Sequence, residues 1–212
     1  MNNSPSANLR RRAAGVSLLA APLLLLASSV LRFVLGLAFE WYLTMKLSFF
    51  FFAVAALGLV HLLRGRADGS SLVGGAMALA GCLSGASIVT MAYVMEAVQP
   101  GVPAEQLQSL YVTLVNSPLP GLFFPIGLLI LAVALFRKEV VPLWAGLLFT
   151  LGAVFFPVGR ISGFVWAVYA CDVLLMISLG YIGWRVLGMS AAEWERRTEV
   201  REESMEAPAV VG

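Results

Sequence analysis

Charged side chains are scarce in this sequence and unevenly placed. Only 12% of the 212 residues are Asp, Glu, Lys or Arg, about half the usual quarter in soluble domains, while 60% are hydrophobic. Three of the 26 charges form Arg10-Arg11-Arg12 and nine lie between Glu193 and Glu206, which leaves 14 for residues 13 to 192. A soluble fold with a mean hydropathy of +0.89 would expose large apolar patches, so the composition indicates an integral membrane protein.

Cysteine and histidine are too few for the common metal and haem sites. Cys82 and Cys171 both lie inside apolar runs, where a thiol packs as a small apolar side chain, with a disulfide as the alternative. His61 is the single histidine, and no CxxC pair occurs. HExxH, GxSxG, P-loop and dinucleotide-turn motifs are absent too. We therefore predict no metal, no cofactor and, with a net charge of only +2, no nucleic-acid partner.

Apolar runs long enough to cross a bilayer recur between the charged ends. Most of their connections are short, and short connections make neighbouring spans pack antiparallel. We predict an all-α, polytopic transmembrane helical bundle of six spans in up-down topology. A basic tail, 1–13, precedes the membrane domain, 14–187, and a helix and tail, 188–212, follow it. The predicted spans are about 14–38, 46–63, 72–97, 119–136, 140–158 and 163–187.

The distribution of basic residues predicts the orientation. With the N-terminus inside, eleven lysines and arginines face the cytoplasm, against only Lys46 and Arg160 outside. Both termini are therefore expected in the cytoplasm, with the chain in the bacterial cytoplasmic (inner) membrane. A signal peptide is the alternative interpretation of the first span, but its apolar run is long and Arg32 precedes the supposed cleavage site.

Two helices are predicted outside the hydrocarbon. Apolar residues at helical spacing indicate an interfacial helix at about 103–115, with a lid over a cavity as the alternative. Ser190 and Glu193 have the spacing of a capping box that opens a cytoplasmic helix, and Trp194 is expected near the lipid headgroups. We interpret this helix as solvated; the alternative is a docking surface for a protein partner.

Ionisable residues inside the spans are the candidates for function, because burying them in a membrane is costly. Asp172 is the deepest of them, and Arg32 lies in the first span near Ser28 and Ser29. We expect Arg32 and Asp172 to form a central pair, since each needs a partner at depth. The alternative is an ion-pair network that only fixes helix positions. The candidate polar cluster, expected in the outer part of the bundle, consists of Arg32, Asp172, Glu96, Arg160 and Glu40.

Gly81 and Gly85 form a GxxxG motif, which predicts close helix packing on the third span. The apolar stretch from Gly127 to Arg137, with its basic turn and the following Val141 to Leu148, resembles a broad set of uncharacterised bacterial six-helix membrane proteins. The resemblance implies the six-helix architecture and no particular activity.

Three classes of function stay open. The first is an accessory or partner-binding membrane protein, whose partners are the lipid bilayer, another protein or a second copy. The second is a transporter or channel for a small solute or proton that uses the polar cluster. The third is an intramembrane enzyme with carboxylates as acid and base. We expect them in that order.

Overall fold

The computed structural model describes residues 5–64, 69–98 and 118–195, and 91% of these residues are helical, with no strand among them. Five of the helices are long and apolar enough to cross a membrane, while the apolar part of α4, Gly121–Arg137, is shorter. The prediction of an all-α chain with several apolar helices able to cross a membrane is confirmed. In chain order the helices are α1 Pro5–Phe33, α2 Ala38–Leu63, α3 Ser70–Val98, α4 Pro118–Arg137, α5 Leu143–Ser162 and α6 Val165–Gly188.

The six helices form a closed circle in chain order. Each packs against its neighbours in sequence, and α6 returns to pack against α1. Phenylalanines from three helices meet in the interior, among buried leucines and alanines. The ring of Phe124 from α4 lies 5.3 Å from Phe49 and 5.0 Å from Phe52 of α2, and 4.9 Å from Phe156 of α5. Edge-to-face contacts of this kind fill the core tightly, and they add to the stabilisation that comes from burying apolar surface.

The outer surface of the circle is apolar, as lipid contact requires. Helix α5 shows this most clearly, because its exposed residues recur at three- and four-residue spacing and so share one face. Their exposed fractions run from 60% at Leu143 to 41% at Val158, with Leu147, Leu151 and Val154 between them. In water such a stripe would favour aggregation, whereas in a bilayer it faces hydrocarbon.

Two helices extend past the ends of the predicted spans, because charged residues near the ends of apolar runs lie on helices. Helix α2 starts at Ala38, so the expected break between 38 and 46 is helical and the turn before it contains Gly36 with a φ of +67°. Helix α5 continues to Ser162, and Gly163, with a φ of +74°, ends it in the left-handed conformation that suits glycine. We name the end of the bundle that holds these two turns the Arg32 end.

At the opposite end, which we name the Arg11 end, the chain folds back onto the bundle after α6. The Ser190 hydroxyl accepts a hydrogen bond from the Glu193 N–H at 3.1 Å and so caps the short helix 191–195. Trp194 is only 2% exposed and stacks on His61 with ring centroids 4.1 Å apart. Trp194 therefore packs against the bundle, and its expected position near the lipid headgroups stays a prediction. The predicted helix 103–115 lies outside the described residues.

Arg11 is buried at this end, although the sequence places it in a basic tail. Its guanidinium donates hydrogen bonds to the carbonyl oxygens of Val186, Leu187 and Met189, and to the side-chain oxygen of Asn8 at 2.9 Å. The last carbonyls of a helix lack intrahelical donors and carry partial negative charge, so a cation is stabilising there. Arg11 therefore fastens the start of α1 to the end of α6.

Candidate functional site

The structure divides the predicted polar cluster into two separate groups. Asp172 pairs with Arg160, with 3.2 Å between Oδ1 and Nη2, whereas Arg32 pairs with Glu96, with 3.6 Å between Nη1 and Oε2. The expected central pair of Arg32 and Asp172 is therefore wrong. Glu40 belongs to neither group: it is exposed in the first turn of α2, and no ion pair joins it to the described part of the chain.

The first group, the Asp172 cluster, consists of Asp172, Arg160 and Ser29. Asp172 is the eighth residue of α6, about 10 Å along the helix axis from its start, and its exposed fraction is 0%. Arg160 reaches it from the last turn of α5, across the tight turn at Gly163. Besides the contact with Oδ1, the same Nη2 atom of Arg160 lies 3.5 Å from Oδ2.

Ser29 of α1 completes this cluster. Its hydroxyl donates a hydrogen bond to Oδ2 of Asp172 and accepts one from Nη2 of Arg160 at 3.2 Å. Ser29 is itself fully buried. Both oxygens of the Asp172 carboxylate therefore have donors, and three helices are joined at one point. A buried charge is tolerated when it is paired and hydrogen-bonded in this way.

The remaining surroundings of Arg160 are apolar. Its Nη1 atom lies 3.8 Å from the sulfur of Met45, and its guanidinium carbon lies 5.6 Å from the centre of the Phe156 ring. The side chain is 15% exposed, and its Nε atom is buried without a hydrogen bond from the described residues. Among the described residues, Asp172 is thus the one carboxylate that pairs with this cation.

The second group, the Arg32 cluster, lies at the surface of the Arg32 end. The Tyr42 hydroxyl donates a 2.5 Å hydrogen bond to the Glu96 oxygen that faces Arg32, and the guanidinium lies 4.9 Å from the centre of the Trp41 ring. The side chains of Arg32 and Glu96 are 38% and 44% exposed. Exposed pairs contribute little to stability, about 0–1 kcal/mol, because water and salt screen them.

Aromatic side chains surround this second cluster. The ring of Tyr93 lies 5.3 Å from Tyr42 and 5.8 Å from Phe39, and Trp41 lies 4.3 Å from Tyr42. Aromatic rings beside a basic residue are typical of the membrane–water boundary, where one side of the group is apolar and the other is wet. The Arg32 cluster thus has the composition typical of a membrane–water boundary, whereas the Asp172 cluster lies inside the bundle.

Glycine contacts bring α3 and α4 together. A Cβ atom on Gly81 would lie 2.1 Å from the backbone nitrogen of Phe124, and one on Gly85 would lie 2.5 Å from the ring of Phe49 on α2. The sequence pattern did not single out Gly127 of α4, where a Cβ atom would lie 2.3 Å from the backbone nitrogen of Ala78. The two backbones come this close because, at each of the two contacts, one of the helices has a glycine.

The positions of the cysteines and carboxylates limit the reactions that the site could support. Cys82 and Cys171 are both free, buried thiols, so the structure does not contain the alternative disulfide between them. Asp172 and Glu96 belong to different clusters, so these two carboxylates do not converge on one substrate position, as acid–base catalysis by a pair would need. Among the described residues, no group of three or more His, Cys, Asp or Glu could hold a metal ion.

No protein-family model matches the chain, and no curated protein or solved structure matches it either. The function has to be inferred from the chain's own residues.

Proposed function

We propose that this chain is an accessory membrane protein, which works by binding a partner protein while its buried charges hold its helices together. The observation that carries this proposal is the enclosure of Asp172, which is 0% exposed with donors on both carboxylate oxygens. A residue that takes up a solute or proton from water needs contact with water at some stage, and this carboxylate has none.

The end of the described chain supports binding of a partner. Trp194 is buried against His61, so the helix 191–195 is fixed to the bundle rather than free. Residues 196–212, with charges of both signs, continue from this fixed point. A charged segment that begins at a defined place on the bundle is suited to a protein partner on the same side of the membrane.

We further propose a bacterial inner-membrane location with both termini in the cytoplasm and six crossings. The excess of eleven basic residues over two supports this orientation. The contacts of Arg11 with the carbonyls of Val186 and Leu187 support it as well, since they bring the start of α1 and the end of α6 to the same end of the bundle.

A transporter or channel is the second candidate, and one observation favours it. Arg160 is partly exposed and has a buried Nε atom without a hydrogen bond from the described residues. A guanidinium that turns between Asp172 and the Arg32 end would open a polar path, because intramembrane charges often line such paths.

The two candidates differ in whether water reaches the Asp172 cluster. We expect the thiol of a Ser29→Cys variant, in a background with Cys82→Ala and Cys171→Ala, to resist a charged, membrane-impermeant thiol reagent. The thiol would stand between Arg160 and Asp172 without removing either charge. Labelling is measured by mass spectrometry in intact membranes and again after denaturation.

Glu40→Cys in the same background is the matched control, because Glu40 is exposed at the same end of the bundle. It should react rapidly. Equal labelling of Ser29→Cys and Glu40→Cys in the native protein would reject the closed core and favour the transporter.

Partner binding has a direct test at the end of the described chain. A photo-crosslinking residue in place of Glu195 is expected to trap one discrete protein in cells, because residue 195 leads into the charged segment. The same residue in place of Glu40, at the other end of the bundle, should trap no such protein. Identical adducts from both positions, or none from residue 195, would contradict the proposed partner surface.

A further inference from the structure

A groove between α3 and α4 at the Arg11 end has the form of a binding site. Its volume is about 430 Å³, within the range of small-molecule sites. Ser70, at the start of α3, forms one side. The wall along α4 is apolar and ends in two cations, formed by Leu129, Ile130, Val133, Ala134, Arg137 and Lys138.

The groove begins beyond the last close contact between the two helices. They touch at Gly81 and again at Gly74, where a Cβ atom would lie 2.8 Å from Ile130. One turn further on, the residue of α3 is Ser70, and the space opens between it and the last turn of α4. The apolar wall therefore runs along the membrane-facing part of α4, and the cations lie where that helix ends.

The lining of the groove has a cationic part at the end of α4 and an apolar part along that helix. None of the described residues that line the groove is acidic, and Arg137 and Lys138 are exposed at the end of α4. Below them, the wall offers only aliphatic carbon. A molecule that fits both parts has an anionic head and a long apolar tail.

We propose that this groove binds an anionic phospholipid, with its phosphate on Arg137 and Lys138 and an acyl chain along Ile130 and Val133. The bilayer supplies such a lipid directly, since basic residues at a helix end lie at the depth of the phosphate groups. The inference is independent of the partner surface proposed above, because it uses α3 and α4 rather than the end of α6.

The test measures lipid retention on the full chain purified in detergent. Native mass spectrometry compares occupancy by dioleoyl phosphatidylglycerol with occupancy by dioleoyl phosphatidylcholine, which has the same tails but no net charge. We expect the anionic lipid to be retained preferentially. Its affinity should fall about thirty-fold in the double variant Arg137→Gln, Lys138→Gln, since each basic residue near an anionic headgroup contributes a factor of about five.

The matched control is the double variant Arg10→Gln, Arg12→Gln, which removes two exposed cations from the same end of the protein. It should retain the anionic lipid as the unaltered chain does. An equal loss in both double variants would overturn the proposal, because the attraction would then be a general effect of charge. Equal retention of the two lipids by the unaltered chain would overturn it too.

Two further measurements separate a lipid from a free anion. Val133→Trp, at a position that is 37% exposed, should fill the groove and lower retention of phosphatidylglycerol without changing the charge. Millimolar inorganic phosphate should not displace the lipid. Unchanged retention in Val133→Trp, or displacement by inorganic phosphate, would show that no acyl chain occupies the groove and would overturn the proposal.

Discussion

Replacing Asp172 with alanine is expected to lower the free energy of unfolding by about 3–5 kcal/mol, because it leaves the Arg160 guanidinium without its one carboxylate. Ser29 would remain as a neutral partner, and the other neighbours of the guanidinium are the sulfur of Met45 and the ring of Phe156. The measurement is reversible unfolding in mixed micelles, followed by circular dichroism as the denaturing detergent is increased.

A double-mutant cycle measures the interaction between Asp172 and Arg160 separately from the effect of removing each side chain. Arg160→Ala alone should be as costly as Asp172→Ala, since it leaves a carboxylate with no exposure to water. The double variant should be no worse than either single one, because both charges are then gone. Costs that simply add would contradict the pairing.

The Arg32 cluster provides the matched control for this cycle. Arg32→Ala and Glu96→Ala, alone or together, should cost only about 0–1 kcal/mol, because both side chains are well exposed. If these variants instead proved as costly as Asp172→Ala, the Arg32 cluster would be far more important to stability than its exposure indicates.

Gly81→Ala is expected to be the most damaging of the glycine-to-alanine substitutions, with a loss of about 3 kcal/mol. The added Cβ atom would lie 2.1 Å from a backbone nitrogen of Phe124, and no side-chain rotation can relieve a clash with backbone. Helices α3 and α4 would have to move apart and open the phenylalanine core at Phe124. The same unfolding experiment in mixed micelles measures the loss.

Gly180→Ala is the control for this prediction. Gly180 lies on α6, and its added Cβ atom would meet only a Leu19 carbon at 3.9 Å, an ordinary contact. Because alanine favours the helix over glycine, this variant should be unchanged or more stable by about 0.5–1 kcal/mol. A similar loss at both positions would mean that glycine is needed for a reason other than close packing.

The sequence predicts the class of this fold because helices that cross a bilayer contain few charged side chains, and this scarcity can be seen in the sequence itself. The positions of Arg10 to Arg12 and of Glu193 to Glu206 suffice to bracket an apolar, helical membrane domain. The ends of the helices are predicted less well, because the charges of Glu40 and Arg160 indicate the ends of apolar runs. The helices continue through both residues, since a helix need not stop where hydrocarbon does.

The partners within the site could not be predicted, for a geometric reason. Depth along a helix can be counted from the sequence, and it placed Asp172 and Arg32 in the same part of the bundle. Which neighbour each one faces depends on how the helices are arranged around the circle. Arg160 reaches Asp172 because α5 and α6 are adjacent, while Arg32 turns towards α3 and Glu96.

The burial of Arg11 escaped prediction for a related reason. Three consecutive arginines are a strong signal for orientation, and nothing in that run distinguishes the one that faces α6. The structure separates them, with Arg11 8% exposed and its two neighbours exposed. A run of basic residues that predicts the orientation in the membrane can thus contain a residue that also holds two helices together.

The position of the Asp172–Arg160 pair affects how the chain enters the membrane during synthesis. Both residues belong to the last helical hairpin, α5 and α6, and are only twelve positions apart in sequence. The hairpin can therefore bring its two opposite charges into the bilayer together, already neutralised, at less cost than either would have alone. Ser29, on α1, is synthesised long before Arg160 and Asp172. We therefore expect α6 to dock on α1 last, around a charge pair that has already formed.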